Sequence, residues 1–493
     1  MDGLGIRKDE EKAFEWFLKS ELSENLFTQN ENERKNFKWL LKLAIENNWT
    51  AQNNLGRCYQ YGIEIYKNEK KAFEWYFRSA VAGYALGQYN LGNCYANAVG
   101  TSKDETKAFE WYLKSAKGGN ATAQNNLGDC YRLGKGIDKD EAKAVEWYLK
   151  SAAAGCVQGQ CNLGDCYRLG KGIDKDEIKA FELYLKAAKS ESETAQNNLG
   201  DCYRLGKGTD KDEKKAFEWY LKSAFAGYAK GQCNLGDCYR FGKGTDKDKK
   251  KAFEWYLKSA AAGCAQGQCN LGDCYYYGKG VNKDETKAFE WYLKSAIAGC
   301  AQGQYNLGYC YYYGKGIDKD ETKAFEWYLK AANGENATAQ NNLGDCYRLG
   351  KGIDKDETKA FEWYLKSAFA GYAKGQCNLG DCYQFGKGTD KDEKKAFEWY
   401  LRSASGGCAQ GQCNLGDCYA NAVGTDKNEI KAFGWYFKSA VAGCAKGQYN
   451  LGDCYRLGKG TDKDEIKAFD WYLNAAEGGN KMAQSKMEDY LAV

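Results

Sequence analysis

Cysteine is the first residue to consider for chemistry, because the 493-residue chain has 22 cysteines and no histidine. Without histidine, neither Ser-His-Asp or Cys-His catalysis nor a histidine-ligated metal site is possible within the chain. Cys264, Cys269 and Cys274 are five residues apart, so on one continuous helix successive thiols would point about 140° away from each other. That spacing, together with the lack of any C-x2-C pair, predicts no metal site and no cofactor.

Twelve of the cysteines recur in the motif L-G-x-Cys-Tyr, from Cys58 to Cys454. They share a helical face with the leucine of the motif, and free cysteine behaves as a small apolar residue when it is buried. We therefore predict that these twelve thiols belong to the core. Of the remaining ten, five precede the motif and five follow the second helix of the repeat: Cys161, Cys233, Cys269, Cys377 and Cys413, and then Cys156, Cys264, Cys300, Cys408 and Cys444.

A second set of residues places opposite charges at a regular spacing. The position two residues after the motif leucine is aspartate in nine of twelve copies, and the position five residues after it is arginine in six. At an i, i+3 separation each aspartate is able to meet its own arginine or a neighbour's. The pattern fits either a surface ladder, in which the charged side chains pair only with each other, or a charge track, in which their alternating charges bind an extended peptide. The residues are Asp129, Asp165, Asp201, Asp237, Asp273, Asp345, Asp381, Asp417 and Asp453, with Arg132, Arg168, Arg204, Arg240, Arg348 and Arg456.

The middle of the chain carries tyrosine at the same positions. The triplets at residues 275–277 and 311–313 are all tyrosine in place of Tyr-Arg-Leu, the commonest triplet, and Tyr309 replaces the aspartate. Tyr276, Tyr309 and Tyr312 would then form an aromatic surface on two adjacent copies, and tyrosine is favoured at interface hot spots. The alternative is that tyrosine drifted into solvated positions. We expect these three tyrosines to be the best local candidates for a partner contact.

An internal repeat of 36 residues positions all of these side chains. The string N-L-G recurs in register from Leu55 to Leu451, and a second signature, K-A-[FV]-x-[WL]-Y, follows each leucine. Apolar and small residues fall at helical spacing in both halves, as at Ala123, Leu127 and Cys130. Each unit is therefore expected to be a helix-turn-helix pair. Because one pair cannot bury its apolar stripe alone, neighbouring pairs must stack into an α-solenoid.

The turn between the two helices carries its own signals. Gly134 and Gly136 predict the end of the first helix, because glycine adopts the left-handed conformation at little cost. Asp138 or Asp140 is expected to cap the second helix, and Asp138 and Glu141 have the spacing of a capping box.

Three small residues carry further expectations. Gly128 lies within the first helix, where glycine costs about 1 kcal/mol, so its presence in all copies predicts a close approach of the second helix. Ala98 and Ala422 stand where the loop glycine is usual, and we expect locally different turns there.

Composition and charge exclude several functional classes. The formal net charge is +4, and acidic residues match basic ones nearby, so we expect no nucleic-acid partner. There is no proline, and aromatic residues reach 15%, which is typical of a chain with a packed core. No apolar run approaches 18 residues, so no membrane insertion is expected. The charged first twenty residues lack an apolar signal region, and we expect a cytoplasmic protein with free thiols.

The pattern A-x3-L-G-x2-Y, followed by G-x-G-[IVT]-x2-D-x2-K-A-x2-W-Y, resembles the Sel-1-like repeat (SLR) family, a relative of the tetratricopeptide repeats. The resemblance implies an all-α, right-handed superhelix of twelve helix-turn-helix repeats with the first helix lining the concave groove. It also implies a non-catalytic scaffold or adaptor that binds a protein or peptide, in a signalling or regulatory complex. Aspartate in the groove argues against the carboxylate-clamp specificity of related repeats.

Two alternatives remain open at this point. The array would also suit the regulatory tail of a larger kinase-type signalling protein. A secreted, cysteine-rich branch of the family includes hydrolases and β-lactam-binding proteins, and it places its disulfide cysteines at positions that here hold residues such as Ala260 and Gln268. That difference, the missing histidine and the missing signal region weigh against an enzyme.

The domain organisation follows from the register of the repeats. Residues 51–482 are expected to form twelve tandem repeats, and residues 1–50 a degenerate partial repeat in which the first helix (about Leu22–Asn32) has lost the motif. Residues 483–493 would continue with a partial repeat that caps the array, with Met487 at the leucine position.

Overall fold

A computed structural model of the chain describes residues 31–491, and within that range every regular element is an α-helix. A first helix, Glu31–Ile45, precedes twelve helix pairs, and a final helix, Lys481–Leu491, follows them. The pairs are numbered here as repeats 1 to 12, each with a first helix, A, and a second helix, B. The A helices are Trp49–Tyr61, Ala85–Asn97, Ala121–Leu133, Val157–Leu169, Glu193–Leu205, Ala229–Phe241, Ala265–Tyr277, Ala301–Tyr313, Ala337–Leu349, Ala373–Phe385, Ala409–Asn421 and Ala445–Leu457. The B helices are Glu69–Val81, Glu105–Lys117, Glu141–Ala153, Glu177–Lys189, Glu213–Phe225, Lys249–Ala261, Glu285–Ile297, Glu321–Asn333, Glu357–Phe369, Glu393–Ser405, Glu429–Val441 and Glu465–Glu477.

The described residues form two compact units, one of residues 31–231 with 242–246 and the other of residues 232–241 with 247–491. Within each unit, helix A packs against helix B of its own repeat, and helix B packs against helix A of the next. Helix A also contacts the A helix of the next repeat in both units, as in repeats 3 and 4 and in repeats 7 and 8. This stacking of helix pairs confirms the α-solenoid of about twelve repeats.

The core of each repeat is built from the side chains that the periodicity singles out. In repeat 3, Leu127, Ala144 and Tyr148 are fully or almost fully buried. All twelve motif cysteines are buried, which confirms their assignment to the core. A β-carbon at Gly128 would lie 2.5 Å from Cε1 of Tyr148, so the close approach of helix B is also confirmed.

The turn between the helices is formed largely as expected. Gly134 ends helix A of repeat 3 in the left-handed conformation, with φ of 69°. Helix B begins after Asp140, whose Oδ1 accepts a hydrogen bond of 2.9 Å from the backbone N–H of Lys143. The capping-box pairing of Asp138 with Glu141 is wrong, because the cap lies two residues later and Glu141 instead forms an ion pair with Lys139.

The expectation of different turns at the two alanines is also wrong. Ala98 and Ala422 both end their A helices in the left-handed conformation with φ of 58°, as glycine does elsewhere. The N–H of Ala98 donates to the carbonyl of Cys94, as the cap glycines do at the corresponding residue. The left-handed conformation costs alanine about 1–2 kcal/mol, and the packing of the helix pair outweighs that cost.

The two ends of the chain are described in part. The helix Glu31–Ile45 buries Phe37, whereas most of the expected degenerate helix at 22–32 lies outside the described residues. In the final helix, Met487 packs against Ala468 and Tyr472, at the position that leucine occupies in the repeats. Across residues 31–491, no helix is long and apolar enough to span a membrane.

Candidate functional site

The aspartates of helix A accept a hydrogen bond from a tyrosine of helix B in the same repeat. In repeat 3 the hydroxyl of Tyr148 donates to Oδ1 of Asp129 across 2.8 Å. The same bond, 2.6–2.9 Å long, is present in all nine repeats that have the aspartate. The tyrosine ring is therefore part of the core, while its hydroxyl reaches the half-exposed edge of helix A.

Five of the six arginines complete a triad with this pair. In repeat 3, Arg132 donates from Nη2 to Asp129 across 2.7 Å and from Nε to the Tyr148 hydroxyl across 3.0 Å. Repeats 4, 5, 9 and 12 repeat this arrangement with Arg168, Arg204, Arg348 and Arg456. Burial, reinforced by the adjacent Asp129 carboxylate, raises the pKa of Tyr148 above its usual value, so the hydroxyl stays protonated and donates.

The remaining aspartates are bound across neighbouring repeats. Arg240 reaches Asp273 of the next repeat, with 3.5 Å between Nη1 and Oδ2. Asp273 also accepts from the amide of Asn306, and Asp381 accepts from the amide of Asn414 across 3.0 Å. Burial raises the pKa of both Asp273 and Asp381. Asp237 and Asp417 each receive the corresponding asparagine bond as well.

These contacts place every aspartate and arginine of the sequence pattern within a hydrogen-bonded network on helix A. The network favours the surface-ladder interpretation over a charge track, because the groups already satisfy each other. A surface ion pair of this kind contributes under about 1 kcal/mol. Direct binding of a partner by these residues stays a prediction.

The three predicted tyrosines lie together at the ends of the A helices of repeats 7 and 8. The rings of Tyr276 and Tyr309 meet edge to face, with centroids 6.2 Å apart. Tyr309 and Tyr312 both contact Tyr313, at 4.5 Å and 4.7 Å, and Tyr276 contacts Tyr277 at 4.8 Å. We call these five residues, Tyr276, Tyr277, Tyr309, Tyr312 and Tyr313, the tyrosine cluster.

The tyrosine cluster is partly solvated and is edged by lysines. Tyr277 and Tyr313 are 59% and 55% exposed, whereas the other three rings are half-buried. Lys351 of repeat 9 donates to the Tyr312 hydroxyl across 2.7 Å and lies over the same ring. Lys279 lies over the Tyr277 ring, with its Nζ 4.7 Å from the centroid. The surface therefore offers aromatic faces, hydroxyl groups and positive charge.

Repeat 8 lacks the hydrogen bond that the helix-B tyrosine makes elsewhere. The tyrosine hydroxyl has an acceptor on helix A in the other eleven repeats; in repeats 1 and 2 this is Gln60 and Asn93. In repeat 8, Tyr309 replaces the acceptor, and the buried hydroxyl of Tyr328 makes no well-formed hydrogen bond to any described residue. The amide of Asn342 lies nearby without the geometry of a proper bond.

The sequence pattern alone does not identify the helix-B tyrosine as a partner of the charged residues. The available signal was a tyrosine 19 residues after every aspartate, but its spacing also matches the apolar stripe. Tyr277 and Tyr313 also belong to the tyrosine cluster, although the predicted contact comprised only Tyr276, Tyr309 and Tyr312. Among residues 31–491, no three metal-binding side chains come together, and all 22 cysteines are free thiols.

The sequence matches the family model described as "Sel1 repeat" over most of its length. A protective antigen of uropathogenic Escherichia coli strains, which displays an SLR fold, is 33% identical; the alignment covers 91% of this chain and 97% of the antigen, with a TM-score of 0.60. A Sel1 repeat protein from Oxalobacter formigenes is 32% identical, with coverage of 50% and 96% and a TM-score of 0.46. No curated protein sequence matches the chain. The family-model matches are residues 1–21, 49–84, 85–120, 121–156, 157–192, 194–228, 229–264, 265–300, 301–336, 337–372, 373–408, 409–444 and 445–480.

Proposed function

Because this chain belongs to the Sel1 repeat family, whose members are generally protein-interaction scaffolds, we propose that it is a non-catalytic scaffold that binds a protein or peptide partner through the tyrosine cluster. In this proposal the partner lies along the A helices of repeats 7 and 8. The protein then acts as an adaptor in a regulatory or signalling complex in the cytoplasm.

The observation that carries the proposal is the unsatisfied hydroxyl of Tyr328. A buried donor without an acceptor costs about 1–3 kcal/mol. Aspartate, asparagine or glutamine on helix A accepts the hydrogen bond in the other repeats, whereas Tyr309 in repeat 8 does not accept one from Tyr328. Random drift favours residues that leave stability unchanged, so a tyrosine that costs stability at this position supports selection for its ring.

The chemistry of the tyrosine cluster suits a protein partner. Tyrosine supplies a large contact area at low conformational cost, and its hydroxyl adapts to donors and acceptors. The rings are already held in place by contacts with one another, edge to face between Tyr276 and Tyr309 and tilted between Tyr309 and Tyr313, so little side-chain freedom is lost on binding. Exposed Tyr277 and Tyr313 are the expected first contacts.

The test is a substitution that turns repeats 7 and 8 into the commonest form of the repeat. The variant Tyr276→Arg/Tyr309→Asp/Tyr312→Arg keeps the fold, because repeats 3 to 5 carry these residues, and it removes three rings from the tyrosine cluster. The matched control is Leu133→Ala/Leu169→Ala, which trims two side chains, each 49% exposed, at the ends of other A helices.

All three full-length proteins are used as baits in cell lysate after circular dichroism has shown equal helicity. We expect discrete partner proteins that are captured by the parent chain and the control and lost with the triple variant. Capture of the same proteins in equal amounts by the triple variant would contradict the proposal.

A further inference from the structure

Two positions outside the core motif vary together from repeat to repeat. The first lies two residues before the motif leucine; the second, 31 residues later, immediately precedes helix A of the next repeat. When the first position holds tyrosine, the second position always holds asparagine. When the first position holds asparagine, the second position holds tyrosine in three cases and cysteine in one. Where the first is cysteine, the second is cysteine in four cases and serine in one. The four cysteine pairs are Cys233/Cys264, Cys269/Cys300, Cys377/Cys408 and Cys413/Cys444.

This covariation reflects direct contact between consecutive repeats. The thiols of Cys233 and Cys264 lie close enough to shift each other's pKa, and the other three pairs repeat this arrangement. Where serine takes the second place, Sγ of Cys161 lies 3.8 Å from Oγ of Ser192. The two positions are therefore neighbours in both units, and four times both are thiols.

The two thiols of a pair occupy different environments. Cys233 is buried, whereas Cys264 is partly exposed at the N-terminus of a helix. The contact between the thiols raises the pKa of Cys233 and lowers that of Cys264, and the backbone N–H of Gly267 lowers the latter further. A helix N-terminus favours the thiolate, which is the form that reacts with oxidants. Each pair thus joins an accessible nucleophilic thiol to a sheltered one.

We propose that these four cysteine pairs are oxidation sites at which a hydroperoxide converts two thiols into a disulfide between consecutive repeats. The Cys264 thiolate attacks the outer oxygen of the hydroperoxide, the O–O bond breaks, and an alcohol or water leaves as Cys264 becomes a sulfenic acid. The Cys233 sulfur then attacks the Cys264 sulfur, the S–O bond breaks, and water leaves with the thiol proton. The two sulfurs give up two electrons, which reduce the peroxide bond.

The sites have a defined place in the array. The disulfides join repeat 6 to 7, 7 to 8, 10 to 11 and 11 to 12, so all four lie in one compact unit. The Cys269/Cys300 pair links the two repeats that carry the tyrosine cluster. This chemistry does not depend on the proposed binding function, because it follows from the thiol pairs alone.

The chain supplies its own controls for the test. Cys156 precedes a helix as Cys264 does, but the first position of its pair is Asn125. Cys161 is buried as Cys233 is, but it faces Ser192. Neither is able to form the bridge. The variant Cys264→Ser copies the natural Cys161/Ser192 pair and is expected to fold normally.

The reduced full-length protein is treated with hydrogen peroxide under native conditions, free thiols are alkylated, and peptides are mapped by mass spectrometry without reduction. We expect disulfide-linked peptides at the four pairs, with Cys156 and Cys161 not cross-linked. In the Cys264→Ser variant, the 233/264 link disappears while the other three remain. Equal oxidation of Cys156 without any of the four links, or links that involve the twelve core cysteines instead, would overturn the proposal.

Discussion

The same substitution, tyrosine to phenylalanine, is expected to have opposite effects in two adjacent repeats. In repeat 9, the hydroxyl of Tyr364 donates to Asp345 across 2.8 Å and accepts from Arg348 across 3.0 Å. Tyr364→Phe removes a hydrogen bond to a charged group and should cost about 2 kcal/mol. In repeat 8, Tyr328→Phe removes a buried hydroxyl that has no partner, which should stabilise the repeat by about 1 kcal/mol.

Amide hydrogen exchange followed by mass spectrometry measures these effects locally. Global unfolding is unsuitable, because long repeat arrays do not unfold as one cooperative unit. Exchange in the helix Glu357–Phe369 should become about 30-fold faster in Tyr364→Phe, and exchange in Glu321–Asn333 about 5-fold slower in Tyr328→Phe. If Tyr328→Phe accelerates exchange as Tyr364→Phe does, the Tyr328 hydroxyl has an effective partner and the argument that Tyr309 is held at a cost fails.

Three further predictions test the packing and the caps of single repeats. Gly128→Ala should destabilise repeat 3 by about 1–3 kcal/mol, because the new methyl group overlaps a tyrosine ring. Gly434→Ala places its methyl group in open space within a helix and should stabilise repeat 11 by about 1 kcal/mol. Local hydrogen exchange measures both effects. Ala98→Gly should slow exchange in the last turn of its helix, because glycine relieves the cost of the left-handed conformation; faster exchange would contradict this. The backbone N–H of Lys143 lowers the pKa of Asp140, so this cap stabilises helix B above about pH 4 and the stabilisation is lost as the pH falls further. The Asp140→Asn variant keeps the hydrogen-bond acceptor without the charge. Its helicity, measured by circular dichroism, should therefore depend less on pH.

The repeat architecture and the core were open to prediction because they rest on local patterns. Helical periodicity places Leu127, Ala144 and Tyr148 on buried faces, and a glycine retained within a helix indicates a close approach. These signals act within a few residues of each other and are repeated twelve times. Packing therefore had little freedom to depart from them.

The polar partners were less predictable because they depend on where two helices meet. The Tyr148 ring follows the apolar stripe, and only the crossing of the two helices brings its hydroxyl to Asp129, 19 residues away. The turn at Ala98 escaped prediction for a similar reason. Local preference disfavours the left-handed conformation by about 1–2 kcal/mol, yet the packed helix pair imposes it.

Site-specific photo-crosslinking tests the binding claim most directly. A benzophenone amino acid is placed at Tyr313 in the tyrosine cluster and, in a control, at Leu133, which is exposed at the end of another A helix. Both full-length proteins are irradiated in cells, and crosslinked products are identified by mass spectrometry. We predict a discrete protein adduct from position 313 that is absent at position 133. No adduct at 313, or the same adduct from both positions, would contradict the assignment of the tyrosine cluster as the partner-binding surface.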